Sequence, residues 1–170
     1  MPYQLFHDLF PKMAEAETRT ITVFADRSKT GLPPGEYAFC EMFCNEPGCD
    51  CRRVFFYVMA SFRKRCEAVI AWGWESPQFY ANWFHDDDPQ IIADLMGPVL
   101  NIGSPQSELA RPILDLVRSV LLKNEAYVER IKRHYQLFRA MIDGKSMTAS
   151  RSRKRMRQKI RNGKKRKGKT

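Results

Sequence analysis

Apolar and polar residues alternate in the first half of the chain, which is typical of β-strands. The alternation predicts a short strand over residues 19–24 and a longer one over 37–44. Apolar runs over 54–62 and 66–74 predict two more strands, separated only by residues 63–65. Because such short connections favour antiparallel neighbours, we expect an antiparallel meander of three to four strands.

Helical spacing replaces this alternation in the second half of the chain. Residues 78–84 and 89–96 are predicted to form short helices, and the carboxylate of Asp88 can cap the second one. Short helical turns are also expected near the N-terminus, over 3–10 and 12–17.

Two longer helices are predicted after residue 100. Ser104 before Pro105 is a strong start signal for the first, and Pro112 inside its apolar pattern should kink it or delay its start. Asn124 can cap the last helix, which we expect to extend from residue 125 to about residue 143. Strands followed by packed helices indicate the α+β class.

The charges divide the chain into two parts. Residues 1–144 hold 16 Lys or Arg and 19 Asp or Glu, whereas residues 145–170 hold 13 Lys or Arg and no acidic residue. We therefore predict a folded α+β domain over 1–144 and a basic tail over 145–170. The tail has almost no apolar side chains, so we expect it to be disordered when unbound.

The charge of this basic tail predicts contacts with phosphate groups. We expect it to engage nucleic acid, RNA rather than DNA, with little sequence preference because aromatic residues are absent from it. The alternatives are a solubilising tail or, in a nucleated cell, an import signal. The residues expected to contact phosphates are Arg151, Arg153, Lys154, Arg155, Arg157, Lys159, Arg161, Lys164, Lys165, Arg166 and Lys167.

The compartment decides how the cysteines are interpreted. The first twelve residues do not resemble a secretory leader, and no apolar run approaches the roughly 18 residues of a membrane span. We therefore expect a cytoplasmic protein with reduced cysteines and no membrane partner. Four of the five cysteines lie within residues 40–51, a density that indicates a metal site, a disulfide or thiol redox chemistry, and the odd count fits metal ligands plus bystanders better than a closed disulfide set.

Strand geometry selects three of these cysteines as metal ligands. Cys40 and Cys44 would be roughly 13 Å apart in a regular strand, too far to share one ion. Cys44, Cys49 and Cys51 instead bracket one turn and can wrap around a structural zinc ion. Cys66 is expected at the far end of its strand, and we predict that Cys40 and Cys66 are buried apolar residues.

The fourth ligand is left open by this reasoning. A structural zinc site needs a fourth protein ligand, whereas a catalytic site leaves that position to water. His85 follows the third meander strand, whose exit returns to the cysteine end of the sheet. His134 lies on the apolar stripe of the last helix, where a histidine is ordinarily a core-edge residue with a hydrogen-bond partner.

An enzyme is the alternative to a structural metal protein. Cys49 and Cys51 form a CxC pair, and the adjacent Arg52 and Arg53 favour thiolates, as thiol redox chemistry requires. The same arginines can instead balance nearby acids such as Asp50. An open zinc site beside the aromatic residues of 72–84 would also support catalysis, but the sequence contains no Gly-rich phosphate loop, nucleophile elbow, HExxH motif or Rossmann fingerprint.

Three segments resemble an uncharacterised bacterial family: FCNEPGCDCRRVFFYV, WGWESPQFYANW and AYVERIKRHYQLF. Members of that family often carry a C-terminal SEC-C segment, a short cysteine-rich zinc module. The resemblance covers roughly residues 6–138 and implies that the three turn cysteines and the pair His134–Tyr135 recur, which favours His134 as the fourth ligand. This chain departs from the family pattern because its basic tail contains no cysteine.

Overall fold

The computed structural model describes residues 3–24 and 30–144. The predicted disordered tail, with its expected nucleic-acid contacts, lies outside these residues. The described strands form one six-stranded antiparallel sheet. They are β1 (Tyr3–Leu5), β2 (Arg19–Val23), β3 (Gly35–Cys44), β4 (Arg53–Ala60), β5 (Cys66–Gly73) and β6 (Val99–Leu100).

The predicted meander forms the centre of this sheet. The strand order is β1-β3-β4-β5-β6, and β2 also pairs with β3. Strand β1 pairs with residues 42–44 and β2 with residues 35–39, so both lie along the same edge of β3. Cys40 and Glu41 fall between the two pairings. The prediction of a helical turn over residues 3–10 is wrong for Tyr3–Leu5. These residues form strand β1, because they pair with the end of β3.

Six α-helices accompany the sheet within the described residues. They are α1 (Phe6–Leu9), α2 (Pro11–Glu17), α3 (Pro77–Phe84), α4 (Pro89–Met96), α5 (Ala110–Ser119) and α6, described over residues 125–144. The α+β prediction is therefore confirmed. None of the helices in the described ranges combines the length and the apolar character that crossing a bilayer requires.

Both predicted helix caps are present. The Asp88 carboxylate accepts hydrogen bonds from the backbone N–H groups of Gln90 and Ile91, at 2.7 and 3.3 Å. Asn124 Oδ1 accepts a hydrogen bond from the Tyr127 N–H at 3.0 Å. These side chains satisfy donors that the first turn of a helix leaves without intrahelical partners.

The helix predicted from Pro105 begins five residues later, at Ala110. The intervening segment follows strand β5 instead. The Gln106 amide donates to Val69 O at 3.0 Å and accepts from Val69 N–H at 3.2 Å, and the Ser107 N–H donates to Glu67 O at 2.8 Å. These contacts satisfy backbone groups of β5 that the two-residue β6 does not reach. Pro112 then lies in the first turn of α5, where its missing N–H costs little.

The main hydrophobic core lies on one face of the sheet. Alternate residues of β4, namely Val54, Phe56 and Val58, pack in one cluster with buried residues of α5 and α6. The opposite face has a smaller cluster around Phe55, Val69 and Ala71. The period-two pattern of β4 therefore separates a helix-covered face from a thinly covered one.

The α3–α4 hairpin approaches the end of β5 closely at Gly73. A Cβ atom at this position would lie 2.1 Å from the Tyr80 hydroxyl oxygen and 2.9 Å from the Leu95 carbonyl oxygen. The Tyr80 hydroxyl is fixed because it donates a hydrogen bond to Arg52 O at 2.9 Å. Only glycine fits this contact without displacement of the hairpin.

We expect Gly73→Ala to lower the free energy of unfolding by about 1–3 kcal/mol, since the added methyl group overpacks the contact with Tyr80. Urea unfolding measures this change. Gly144→Ala is the matched control, because a Cβ at Gly144 meets nothing within 4 Å and alanine is favoured in helices. Equal stability of the two variants would contradict the close packing of α3–α4 on β5.

Candidate metal centre

A tight turn joins β3 to β4 and carries the cysteines. Strand β3 ends at Cys44, and the Cys49 N–H then donates to Glu46 O at 3.2 Å across Pro47 and Gly48. Gly48 has φ 76°, the left-handed value that the third position of a type II turn requires, and proline is favoured just before it. The chain reverses there, so Cys49 returns toward the end of β3.

The turn brings together the three cysteines predicted as metal ligands. The sulfur atoms of Cys44, Cys49 and Cys51 all lie within 4.8 Å of one another. Cys44 and Cys51 are buried, while Cys49 is half-buried. Sulfur atoms bound to one zinc ion lie roughly 4 Å apart, so small side-chain adjustments suffice to close this group around a metal ion.

Each sulfur atom also receives a backbone hydrogen bond from the residue two positions later. The donors are the N–H groups of Glu46 for Cys44, of Cys51 for Cys49 and of Arg53 for Cys51. Donors directed at sulfur stabilise the thiolate, which is the form that binds a metal. The backbone of the turn is therefore arranged for anionic sulfur.

Without a cation, the three neighbouring sulfur atoms shift one another's pKa values. A hydrogen bond from the Cys51 thiol, helped by the Glu46 N–H, lowers the pKa of Cys44 to about 6. The adjacent Cys44 sulfur and burial raise the pKa of Cys51, and burial raises the pKa of Cys49. Because a metal ion would neutralise all three sulfurs at once, the donor set fits a metal that prefers thiolate ligands.

Helix α6 fixes the turn through Arg139. The Nη1 atom of Arg139 donates to Cys44 O at 2.9 Å and to Glu46 O at 3.0 Å, while its Nη2 atom donates to Asp143 Oδ1 at 2.6 Å. The same Asp143 oxygen accepts the Gly48 N–H at 2.9 Å. The guanidinium group is nearly buried, so these are well-shielded, charge-assisted hydrogen bonds.

Two tyrosine hydroxyls hydrogen-bond to the backbone N–H and C=O groups of Arg52. Tyr135 Oη accepts the Arg52 N–H at 3.3 Å, and Tyr80 Oη donates to Arg52 O at 2.9 Å. These contacts support the left-handed φ of 45° at Arg52. The guanidinium of Arg52 pairs with Asp50 at 3.0 Å and Glu75 at 3.1 Å, so its charge is directed at carboxylates rather than at the thiols.

The structure does not bring His134 to the three cysteines. Its Nδ1 lies 2.7 Å from Glu41 Oε2 and its Nε2 lies 3.2 Å from Glu17 Oε2, while the Phe6 ring stacks on it with centroids 4.3 Å apart. His134 is thus a buried histidine with hydrogen-bond partners. His85 is exposed at the end of α3, and within the described ranges the group of possible metal ligands contains neither histidine.

Sequence reasoning missed the buried Glu17–Glu41–His134 cluster, although a signal for it was present. Glu41 is the one acidic residue among the four alternate β3 positions Tyr37, Phe39, Glu41 and Phe43, which all face the main core. A carboxylate at such a position requires a buried partner. His134 is the residue of the apolar α6 stripe that provides one.

Cys40 and Cys66 remain apart from the metal centre, as expected. Both are half-buried rather than fully buried, and burial raises the pKa of each thiol.

Comparison of the chain with family models, curated proteins and solved structures finds no match.

We expect His134→Leu to lower the free energy of unfolding by about 1–3 kcal/mol, because it leaves the buried Glu41 side chain without its hydrogen-bond partner. The double variant Glu41→Leu/His134→Leu should recover most of this loss, since the unsatisfied polar group is also removed. Urea unfolding of the two variants measures both effects.

Lys132→Ala is the control for the previous experiment. Lys132 pairs with Glu129 at the surface of the same helix, at 2.7 Å, and such exposed pairs contribute about 0–1 kcal/mol. If His134→Leu were no more destabilised than Lys132→Ala, the buried cluster would not contribute to stability as the geometry indicates.

Proposed function

We propose that this protein binds one zinc ion through Cys44, Cys49 and Cys51, and that the ion stabilises the α+β domain. The observation that carries this proposal is the convergence of three sulfur atoms within 4.8 Å of one another. Zinc fits because it accepts thiolate ligands in a tetrahedral arrangement and has no redox chemistry of its own, and a structural ion would take its fourth ligand from outside this group of three. On this proposal the domain serves as a scaffold in the cytoplasm, where thiols remain reduced.

The three-ligand set also supports a second candidate, an open-site zinc enzyme. Catalytic zinc sites have three protein ligands and one position for water or substrate, and the described residues supply three. The two candidates differ in what metal removal does. A structural ion is required for folding, whereas removal of a catalytic ion leaves the domain folded.

We further propose that the basic tail makes this an accessory protein of nucleic acid, with RNA as the preferred partner. The proposal rests on the 13 Lys or Arg residues of 145–170 and on their separation from the acidic residues, all of which lie in 1–144. A cationic segment of this density releases counterions from a phosphate backbone, and this release drives binding. The excess of acidic over basic residues in 1–144 disfavours a second nucleic-acid surface there.

We expect the purified protein to hold about one zinc per chain, and we expect Cys51→Ser and Cys49→Ser to lose the zinc and unfold. Binding of a structural zinc contributes roughly 10–16 kcal/mol to folding. Loss of a large part of this free energy exceeds the free energy of unfolding of a typical domain. Elemental analysis and circular dichroism measure the two outcomes.

Cys66→Ser is the matched control, because Cys66 lies outside the group of three sulfurs. It should retain both the zinc and the fold. A metal-free wild-type protein that is fully folded would contradict the structural-zinc proposal. Zinc loss without unfolding would favour the open-site enzyme.

Deleting residues 150–170 should abolish salt-sensitive RNA binding and leave the stability of the domain unchanged. Binding by the full chain should weaken with a log–log salt slope of roughly −0.7 per phosphate contact on single strands. Fluorescence anisotropy with a labelled oligonucleotide at several salt concentrations measures the slope. Unchanged binding by the truncated protein would show that the tail is not the nucleic-acid surface.

A further inference from the structure

An open cavity of about 250 Å³ lies beside the thinly covered face of the sheet. Its walls come from α4 and from the segment around β6, and they include the apolar side chains of Ile91, Leu95, Val99 and Ile102. Ile102 is 90% exposed, although it is a large apolar residue. Ile102 adds apolar surface at a concave site whose other walls are largely apolar, which is the usual character of a small-molecule site.

The polar residues that line this cavity are Asp94, Asn101 and Arg53, and the cation among them is Arg53, the first residue of β4. Its Nη2 donates to the backbone oxygen of Asp94 at 3.1 Å, and its guanidinium carbon lies 5.2 Å from the centroid of the Phe55 ring. Its Nε is buried and has no hydrogen-bond partner among the described residues. The guanidinium group is thus partly satisfied and retains donors for a ligand.

Arg53 also differs from neighbouring arginines in its charge partners. Arg52 and Arg139 each pair with carboxylates, whereas no carboxylate in the described ranges lies within 4.0 Å of Arg53. A half-buried guanidinium group without a carboxylate partner is available to pair with an anion.

One acidic side chain lies near this charge and does not compensate it. The Asp94 carboxylate, which also lines the cavity, accepts a hydrogen bond from Gln90 Nε2 at 3.2 Å and makes no ion pair with Arg53. The guanidinium group of Arg53 therefore keeps donors that no carboxylate of the described residues uses.

We propose that this cavity binds a small monocarboxylate with an apolar chain of about four to six carbons. Its carboxylate would pair with the guanidinium of Arg53, whose planar donors match the two oxygens of a carboxylate. Its chain would lie against Ile91, Leu95 and Val99 and would cover Ile102. The apolar walls disfavour inorganic phosphate, which has no chain to bury.

The test uses the full chain and 4-methylpentanoate as the probe, followed by ¹H–¹⁵N correlation spectra during titration. We expect saturable shifts at Val99 and Ile102, and binding of the neutral analogue 4-methylpentanamide that is about tenfold weaker or more, since it lacks the charge. Arg53→Gln should weaken carboxylate binding by a similar factor. Arg111→Gln, which changes an exposed arginine on α5, should leave binding unchanged.

Ile102→Ser provides a second variant in case Arg53→Gln fails to fold. Because Ile102 is exposed, this change should leave the fold intact and weaken binding about threefold or more through the lost apolar contact. Absence of saturable shifts with the folded wild-type protein would overturn the proposal. Equal binding of the acid and the amide would overturn it as well, and so would unchanged binding in Ile102→Ser.

Discussion

The guanidinium group of Arg139 is the contact on which the metal centre depends. It joins α6 to two carbonyl groups of the cysteine turn, and through Asp143 to a third backbone group, across 93–95 residues of sequence. The local type II turn returns Cys49 toward the end of β3, and the contacts from the last helix hold the backbone of this turn in place.

A second buried polar contact fixes the same helix at another point of the same strand. His134 meets Glu41 on β3, and Arg139 meets the end of β3 at Cys44. Apolar contacts alone tolerate sliding of a helix along a sheet, whereas a buried hydrogen bond is penalised when its partners separate. Together the two contacts define how α6 lies on β3, and the position of α6 in turn defines the shape of the cysteine turn.

The features that the sequence predicted correctly are local ones. The central meander, the caps at Asp88 and Asn124 and the convergence of the three turn cysteines all depend on residues close together in the chain. The features it missed depend on distant partners. Strand β1 pairs with the far end of β3, and α5 begins late because Gln106 bonds to β5.

His134 illustrates the same limit for the site. Its position on an apolar stripe was visible in the sequence, and so was the acidic residue on the inward face of β3. That the two meet, 93 residues apart, follows from the packing of α6 on the sheet. A histidine on such a stripe is equally suited to a metal and to a carboxylate, so spacing alone could not decide between them.

Zinc K-edge X-ray absorption of the purified protein tests the central claim most directly, because it counts the sulfur atoms bound to the ion. The account predicts three sulfur atoms at about 2.3 Å together with one nitrogen or oxygen ligand. A spectrum that lacks sulfur neighbours, or one that is unchanged after Cys51→Ser, would contradict it.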